Sequence, residues 1–330
     1  MIEASVPVRI CDNGGWTDTW FGGPGRVLNV AVGPGVEVSI RAVSGRDPVV
    51  LAVETFGDRY AVVPGARRAA RHPLLEAAID TFPPPEGRAV EISVRSAVPP
   101  GCGAGTSAAV TVALVGALCA ARSEQVLPRD LAYAAHSLEV DVLGIESGIQ
   151  DQLSAAFGGI NFIEIESYPE ATVHALPAWE ELGPRLMLVY LGRGHDSSGV
   201  HSQVIADAER RGPGVFAHLR DAAVAARDAV VARDLRAFGE AMIANTEAQY
   251  SLHPDLVGAD ARRVIEIAGV AGAIGWKVNG AGGDGGSLTV LSADDEVRAA
   301  LEHRVAALDA RYRVIPITIS ANGFVARGEL

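Results

Sequence analysis

The chain has 330 residues, a formal net charge of -12, and 48 % apolar against 21 % charged residues. That balance describes a globular protein with a large core and excludes a disordered chain or a fibre. The acidic excess argues against nucleic acid or an anionic membrane as partner, since both attract clustered Lys and Arg. A phosphate-bearing ligand stays open, because oriented backbone N–H groups bind anions without net positive charge. Cys11, Cys102 and Cys119 stand at no metal-ligand spacing and suit a reducing compartment. The N-terminus shows no basic region followed by an apolar run, and the apolar stretch 108–121 is too short for a bilayer, so the expected location is the cytoplasm. Lys277 is the single lysine.

The first third reads as strands and turns: 27–32 and 36–40 separated by Gly33-Pro34-Gly35, then 49–53, 60–63 and 89–98, with a helix at 73–81. From Ser107 the pattern turns helical, at 107–121, 129–143 and 147–157, before a strand at 160–165. A second unit opens with a strand at 186–191. Helices at 199–210, 214–232, 234–250 and 259–271, a strand at 287–292, a helix at 294–308 and a strand at 314–320 complete it. Grouped strands, then helices, then mixed elements predict an α+β protein of two lobes, 1–175 and 176–330, divided in the proline-bearing segment 166–184.

Between the strand 89–98 and the helix from Ser107 lies Pro99-Pro100-Gly101-Cys102-Gly103-Ala104-Gly105-Thr106-Ser107-Ala108-Ala109. Glycines allow positive φ and close backbone approach, and a helix N-terminus adds free N–H groups and partial positive charge. Such a segment suits a nucleotide polyphosphate. The competing reading is a tight turn with Thr106 or Ser107 as an N-cap. It is not Walker A, which needs Gly-Lys-Ser/Thr. A GxGxxG string at Gly280, Gly282 and Gly285 opens onto a strand where a dinucleotide site requires a helix, so that reading fails on context.

Pro-x-Gly-x-Gly-x-Gly-Thr-Ser-Ala-Ala resembles the phosphate loop of the GHMP kinases, the family of galactokinase, homoserine kinase and mevalonate kinase. Pro7-Val8-Arg9 with Gly14-Gly15-Trp16-Thr17-Asp18 is similar to the family's first motif, and Lys277-Val278-Asn279-Gly280-Ala281-Gly282-Gly283 to its third. The resemblance implies a two-lobed fold and a soluble ATP-dependent kinase acting on a small-molecule alcohol, as monomer or homodimer. It implies ATP on Pro100, Gly101, Cys102, Gly103, Ala104, Gly105, Thr106 and Ser107, with Gly280, Ala281 and Gly282 closing over it.

Glu139 has Ala132, Ala135, Val142 and Leu143 as helical neighbours, a face where a carboxylate needs a partner unless it stands at an exposed edge. The resemblance makes it a Mg²⁺ ligand together with Ser107. Asp151, beside Ser147, Gly148, Ser154 and Ala155, reads by itself as a surface aspartate. By resemblance it faces the accepting hydroxyl, with Arg9 holding it ionised. Gly15, Trp16, Thr17 and Asp18 would bind the substrate, Asp18 accepting ring hydroxyls and Trp16 offering an apolar platform; by itself Asp18 also reads as a turn residue.

Gly14-Gly15-Trp16-Thr17-Asp18 with Leu28-Asn29-Val30-Ala31 resembles the kinase domain of L-fucose kinases and the D-glycero-D-manno-heptose 7-phosphate kinases, which act on the anomeric hydroxyl. The expected substrate is therefore a sugar or sugar phosphate. The alternatives are a mevalonate- or homoserine-type alcohol, or an inactive ligand-sensing relative. Arg67, Arg68 and Arg71 read either as a phosphate-holding cluster or as a solvated helix face.

Overall fold

Ile2, Ala4 and Val6 are buried while Glu3 and Ser5 are exposed, and this period of two begins the first strand, β1 (Ile2–Asn13). The computed structural model describes residues 1–44, 49–62, 65, 70–194 and 198–330, with the backbone alone at 198 and 199. From Val6 onward every residue of β1 is buried, so Arg9, Asp12 and Asn13 are carried into the interior. Buried charges need partners, and the rest of the fold supplies them. The sequence reading had found no strand here.

β2 (Gly25–Ala42) is one strand of 18 residues, where Gly33-Pro34-Gly35 had suggested a break. Proline has no N–H to give to a ladder, and β1 accommodates it by shifting register between Val6 and Val8. The motif therefore irregularises a strand pair without ending it. There follow β3 (Val49–Val53), β4 (Asp58–Ala61), α1 (Pro73–Thr81) and β5 (Val90–Ser96). Next come α2 (Thr106–Ala121) and α3 (Pro128–Ser137), a π-helical turn Leu138–Val142, α4 (Gln150–Phe157), β6 (Ile160–Ser167) and β7 (Glu170–Ala175). The expected helix 129–143 thus changes its winding before Glu139, and the one expected from 147 starts at Gln150.

The second half contains α5 (Leu182–Arg185), β8 (Leu186–Tyr190), α6 (Ser198–Arg211), α7 (Ala217–Ala232), α8 (Leu235–Leu252) and α9 (Ala259–Ala271). It ends with β9 (Gly275–Val278), β10 (Ser287–Leu291), α10 (Asp295–Leu308), β11 (Arg313–Ile315), β12 (Thr318–Ile319) and β13 (Val325–Gly328). Among the described residues the strands form two sheets. The larger runs β13-β1-β2-β5-β3-β4, with β12 and β6 also on β2 and β7 outside β6; the smaller runs β11-β8-β10-β9. The single strand expected at 314–320 is two, and its halves join different sheets.

The fold is mixed α+β, as expected. α2 is apolar on all sides and packs on β1 and β2 with α3 and α4 around it. Ala223, Ala226 and Val230 of α7 and Phe238 and Met242 of α8 belong to the same buried cluster as Ile10, Val30 and Leu114. Residues from both halves therefore share the main core. Among the described residues no helix is long and apolar enough to cross a membrane.

Candidate active site

The glycine loop leaves β5 and enters α2 through Gly105, the N-cap, at φ 67° and with no side-chain cap. Gly101 and Gly103 also have positive φ. The N-cap reading of Thr106 or Ser107 is thereby overturned: both lie inside the helix, and the buried Thr106 hydroxyl has no hydrogen-bond partner. The first-turn N–H groups of α2 lack any side-chain acceptor, the arrangement that receives an anion. Gly101, Cys102, Gly103, Gly105, Thr106 and Ser107 line a cleft of about 370 Å³, and Gly280 and Ala281 form part of its wall. Pro100, Ala104 and Gly282 do not line it: the Ala104 carbonyl accepts the Arg9 N–H at 3.0 Å, and Gly282 packs on the Leu256 carbonyl.

β1 delivers Arg9 to the floor of the cleft. Its Nε donates to Asp151 Oδ1 at 2.8 Å and its Nη2 to Oδ2 at 3.0 Å, a bidentate pair, while Nη1 donates to the Gly103 carbonyl. Arg9 is 5 % exposed. Burial opposes its charge, but Asp151, then Asp12 and Asp18, outweigh that and hold the guanidinium more firmly protonated than usual. Gly105 is where loop and pair meet: a Cβ there would lie 3.0 Å from Asp151 Oδ2 and 3.3 Å from Arg9 Cγ. The space left by the missing Gly105 side chain thus borders both Asp151 and Arg9.

Asp18 lines the same cleft from the β1–β2 connection. Gln150, at the start of α4, donates to it through its backbone N–H at 3.2 Å and its amide at 3.4 Å. Gly148 leaves it room, since a Cβ there would sit 1.9 Å from Asp18 Oδ2. Burial, and then the charge of Asp151, push the Asp18 carboxyl up to about 6. Its ionised form accepts the Gln150 bonds and would accept a substrate hydroxyl. KM for the acceptor should therefore rise as pH falls through about 6. The same shift means the native state holds this proton more tightly than the unfolded chain. From this group, stability should increase on acidification from about 6 towards the ordinary value of about 4. Acceptor titrations across that range check the claim, and an Asp18→Asn variant with an identical KM profile would refute it.

Sequence reasoning missed Asp12. It is fully buried, accepts the Gly280 N–H at 3.0 Å through Oδ2, and pairs with Lys277 Nζ at 3.2 Å. Lys277 also donates to Gln249 Oε1 at 3.2 Å and to the Val278 carbonyl. Burial lowers the Lys277 ammonium, and Asp12 opposes that. The one lysine is thus outside the cleft walls and joins β9 of the second sheet to β1 of the first. Lys277→Met would leave Asp12 a buried, unpaired charge and should cost about 3–5 kcal/mol. Denaturant melts check this, and Asp12→Leu added to Lys277→Met should recover part of the loss.

Glu139 stands in the π-helical turn, which aims it into the cleft opposite the start of α2. It is 4 % exposed; Gln152 donates to Oε2 at 3.1 Å, while Oε1 is buried without a partner. Burial is the first reason its carboxyl is pushed up to about 7, and the Asp151 charge adds to it. An orphaned buried carboxylate oxygen in the cleft that Ser107 also lines fits a hard divalent cation.

Trp16 lines the cleft at φ 82°, but its ring is mostly buried between Phe21 and His201, its centroid 4.8 Å from the latter at a tilt of 32°. His201, from α6, is a cleft residue that no sequence motif announced. Gly15 and Thr17 do not line the cleft: Gly15 packs on Asp12 and Gln150, and the Thr17 hydroxyl donates to the Gly14 carbonyl at 2.7 Å. Arg71 lies over the Tyr60 ring at 5.0 Å, away from the cleft walls, and Arg67 and Arg68 fall outside the described residues.

A glycine loop at a helix N-terminus, a second glycine loop against it and an Arg–Asp pair between them define a phosphoryl-transfer cleft. Comparison with known proteins agrees. The GHMP kinases N terminal domain matches residues 67–159. A mevalonate kinase of Methanothermobacter thermautotrophicus is 31 % identical over 236 residues, 68 % of this chain and 72 % of that enzyme. The mevalonate kinase of Pyrococcus furiosus is 28 % identical over 232 residues, 66 % of this chain and 64 % of that enzyme, so the match spans a little under two thirds of its length. The crystal structure of a D-glycero-D-manno-heptose 1-phosphate kinase from Bacteriodes thetaiotaomicron superposes with a TM-score of 0.79 at 18 % identity, covering 99 % of each chain. The chain belongs to the GHMP kinase family.

Proposed function

We propose that the protein is an ATP-dependent sugar kinase that places the γ-phosphoryl group on the anomeric hydroxyl of a fucose- or heptose-type sugar. The observation that carries the reading is the bidentate pair of Asp151 with Arg9 beside Gly105, in the cleft that the glycine loop lines. The loop N–H groups and the α2 N-terminus hold the polyphosphate. Asp151 orients the acceptor hydroxyl and takes its proton as the O–P bond forms and the bond to the leaving diphosphate breaks. Arg9 pairs with Asp151 beforehand and offsets negative charge during transfer. Glu139 and Ser107 would hold Mg²⁺, which supplies charge neutralisation on the phosphates. Asp18 receives ring hydroxyls.

Phosphorus NMR of the product from a sugar panel tests this: a doublet coupled to the anomeric proton is expected, and phosphate on another carbon would refute the assignment. The mevalonate kinase relatives give a second reading, a non-sugar alcohol acceptor. Mevalonate belongs in the same panel, and its phosphorylation with no sugar turned over would replace the first reading by the second.

A further inference from the structure

We infer that the acceptor half of the cleft selects an uncharged polyol and rejects an acceptor that already carries a phosphate or carboxylate, with Asp18 and Glu146 setting the preference. The inference rests on the sugar-kinase reading above. Trp16, Asp18, Glu146, Gln150, Asp151 and His201 line this half. Three of the six are carboxylates. Glu146, exposed on the rim, accepts the Trp20 indole N–H, which fixes its charge at the entrance.

A phosphate leaving water needs cationic or N–H donors in return. Among the described residues lining the cleft, Arg9 is the only guanidinium, and its Nε, Nη1 and Nη2 are engaged by Asp151 and the Gly103 carbonyl. Arg193, after β8, and Arg220, of α7, are engaged too. Arg193 pairs with Asp260 at 3.0 Å and with Asp284 at 3.4 Å, and Arg220 donates to the Gly22 carbonyl at 3.1 Å. His201 packs against the Trp16 ring at 4.8 Å between centroids. A second anion beside Asp18 and Asp151 would add repulsion where Asp18 is already pushed up to about 6 by burial and then by its neighbour.

A hydroxyl, which both donates and accepts, meets the opposite situation. Asp18 presents acceptor oxygens. The Gln150 amide N–H₂ is committed to Asp18, leaving its oxygen as a buried acceptor with no partner, and the Trp16 indole N–H is a buried donor with none. Both an unpartnered acceptor and an unpartnered donor in one site suit hydroxyls, which can serve either.

The test uses D-glycero-D-manno-heptose, its 7-phosphate, L-fucose and mevalonate as acceptors, with MgATP and ADP release as readout. The heptose pair differs by the phosphate alone. We expect kcat/KM for the free heptose to exceed that for the 7-phosphate by about tenfold or more, and Glu146→Lys to narrow the ratio by raising the value for the 7-phosphate. Calorimetry of the same pair with a non-hydrolysable ATP analogue reads the preference as affinity where turnover is slow. Equal or better use of the 7-phosphate overturns the inference and leaves the sugar-kinase reading standing. Turnover of mevalonate with no binding of any sugar overturns the reading itself.

Discussion

Asp151→Asn should lower kcat by about 10²–10⁴-fold while nucleotide still binds. The amide keeps the size of the carboxylate and one acceptor oxygen for Arg9, so the α4 backbone and the phosphate loop should stay in place. What it loses is the site for the acceptor proton and the negative charge facing Arg9. The pair is more enclosed than the small neighbours Ser147, Gly148, Ser154 and Ala155 had suggested. Arg9 is 5 % exposed, and the carboxylate receives two of its N–H groups. Turning one acceptor oxygen into an N–H₂ donor leaves a buried donor unsatisfied, so a stability loss of about 1–3 kcal/mol should accompany the kinetic effect. Thermal melts and single-turnover phosphoryl transfer, measured on the same preparation, separate the two. A variant with kcat within about tenfold of the parent would remove Asp151 from the mechanism.

Gly105→Val should weaken nucleotide binding by about tenfold or more and reduce phosphoryl transfer as well. The sequence alone suggested a defect confined to ATP, because Gly105 belongs to the phosphate loop. The structure gives the residue two duties. At φ 67° it adopts a left-handed conformation that a β-branched side chain resists, and its missing Cβ is the space into which Asp151 and Arg9 pack. A valine would distort the loop N–H groups and push the Arg–Asp pair together. Calorimetry with nucleotide and a kcat measurement should therefore both move. Unchanged nucleotide affinity in a folded variant would refute the loop assignment.

Both predictions concern residues that were visible in the sequence, for a physical reason. The phosphate loop and α2 are local: glycines at fixed spacing, then an apolar helix, act within about a dozen residues, and local geometry follows from local sequence. Helix α1 and the alternating strands β3 and β5 were legible on the same ground. Glu139 and Asp151 were singled out by the family resemblance; by their neighbours alone, an exposed helix edge stayed open for the first and a surface aspartate was the reading for the second.

Other features were set by distant parts of the chain. β1 alternates at its start, but from Val6 both of its faces are covered, so Arg9, Asp12 and Asn13 do not look like strand interior. Lys277 lies in β9, a strand of four residues, Gly275–Val278, too short to announce itself by periodicity. Its partner Asp12 is 265 positions away. No spacing rule joins them; only the apposition of the two sheets does, and it makes each charge tolerable to the other. The same holds for Gly148, whose lack of a side chain matters because Asp18 arrives from the β1–β2 connection, and for His201, brought to Trp16 by α6. The sequence by itself determined the class of chemistry, because a phosphate loop is written in consecutive residues. Which carboxylates face one another, which cation is structural and which groups are left for the acceptor were decided by tertiary packing, because burial and pairing belong to neighbours in space.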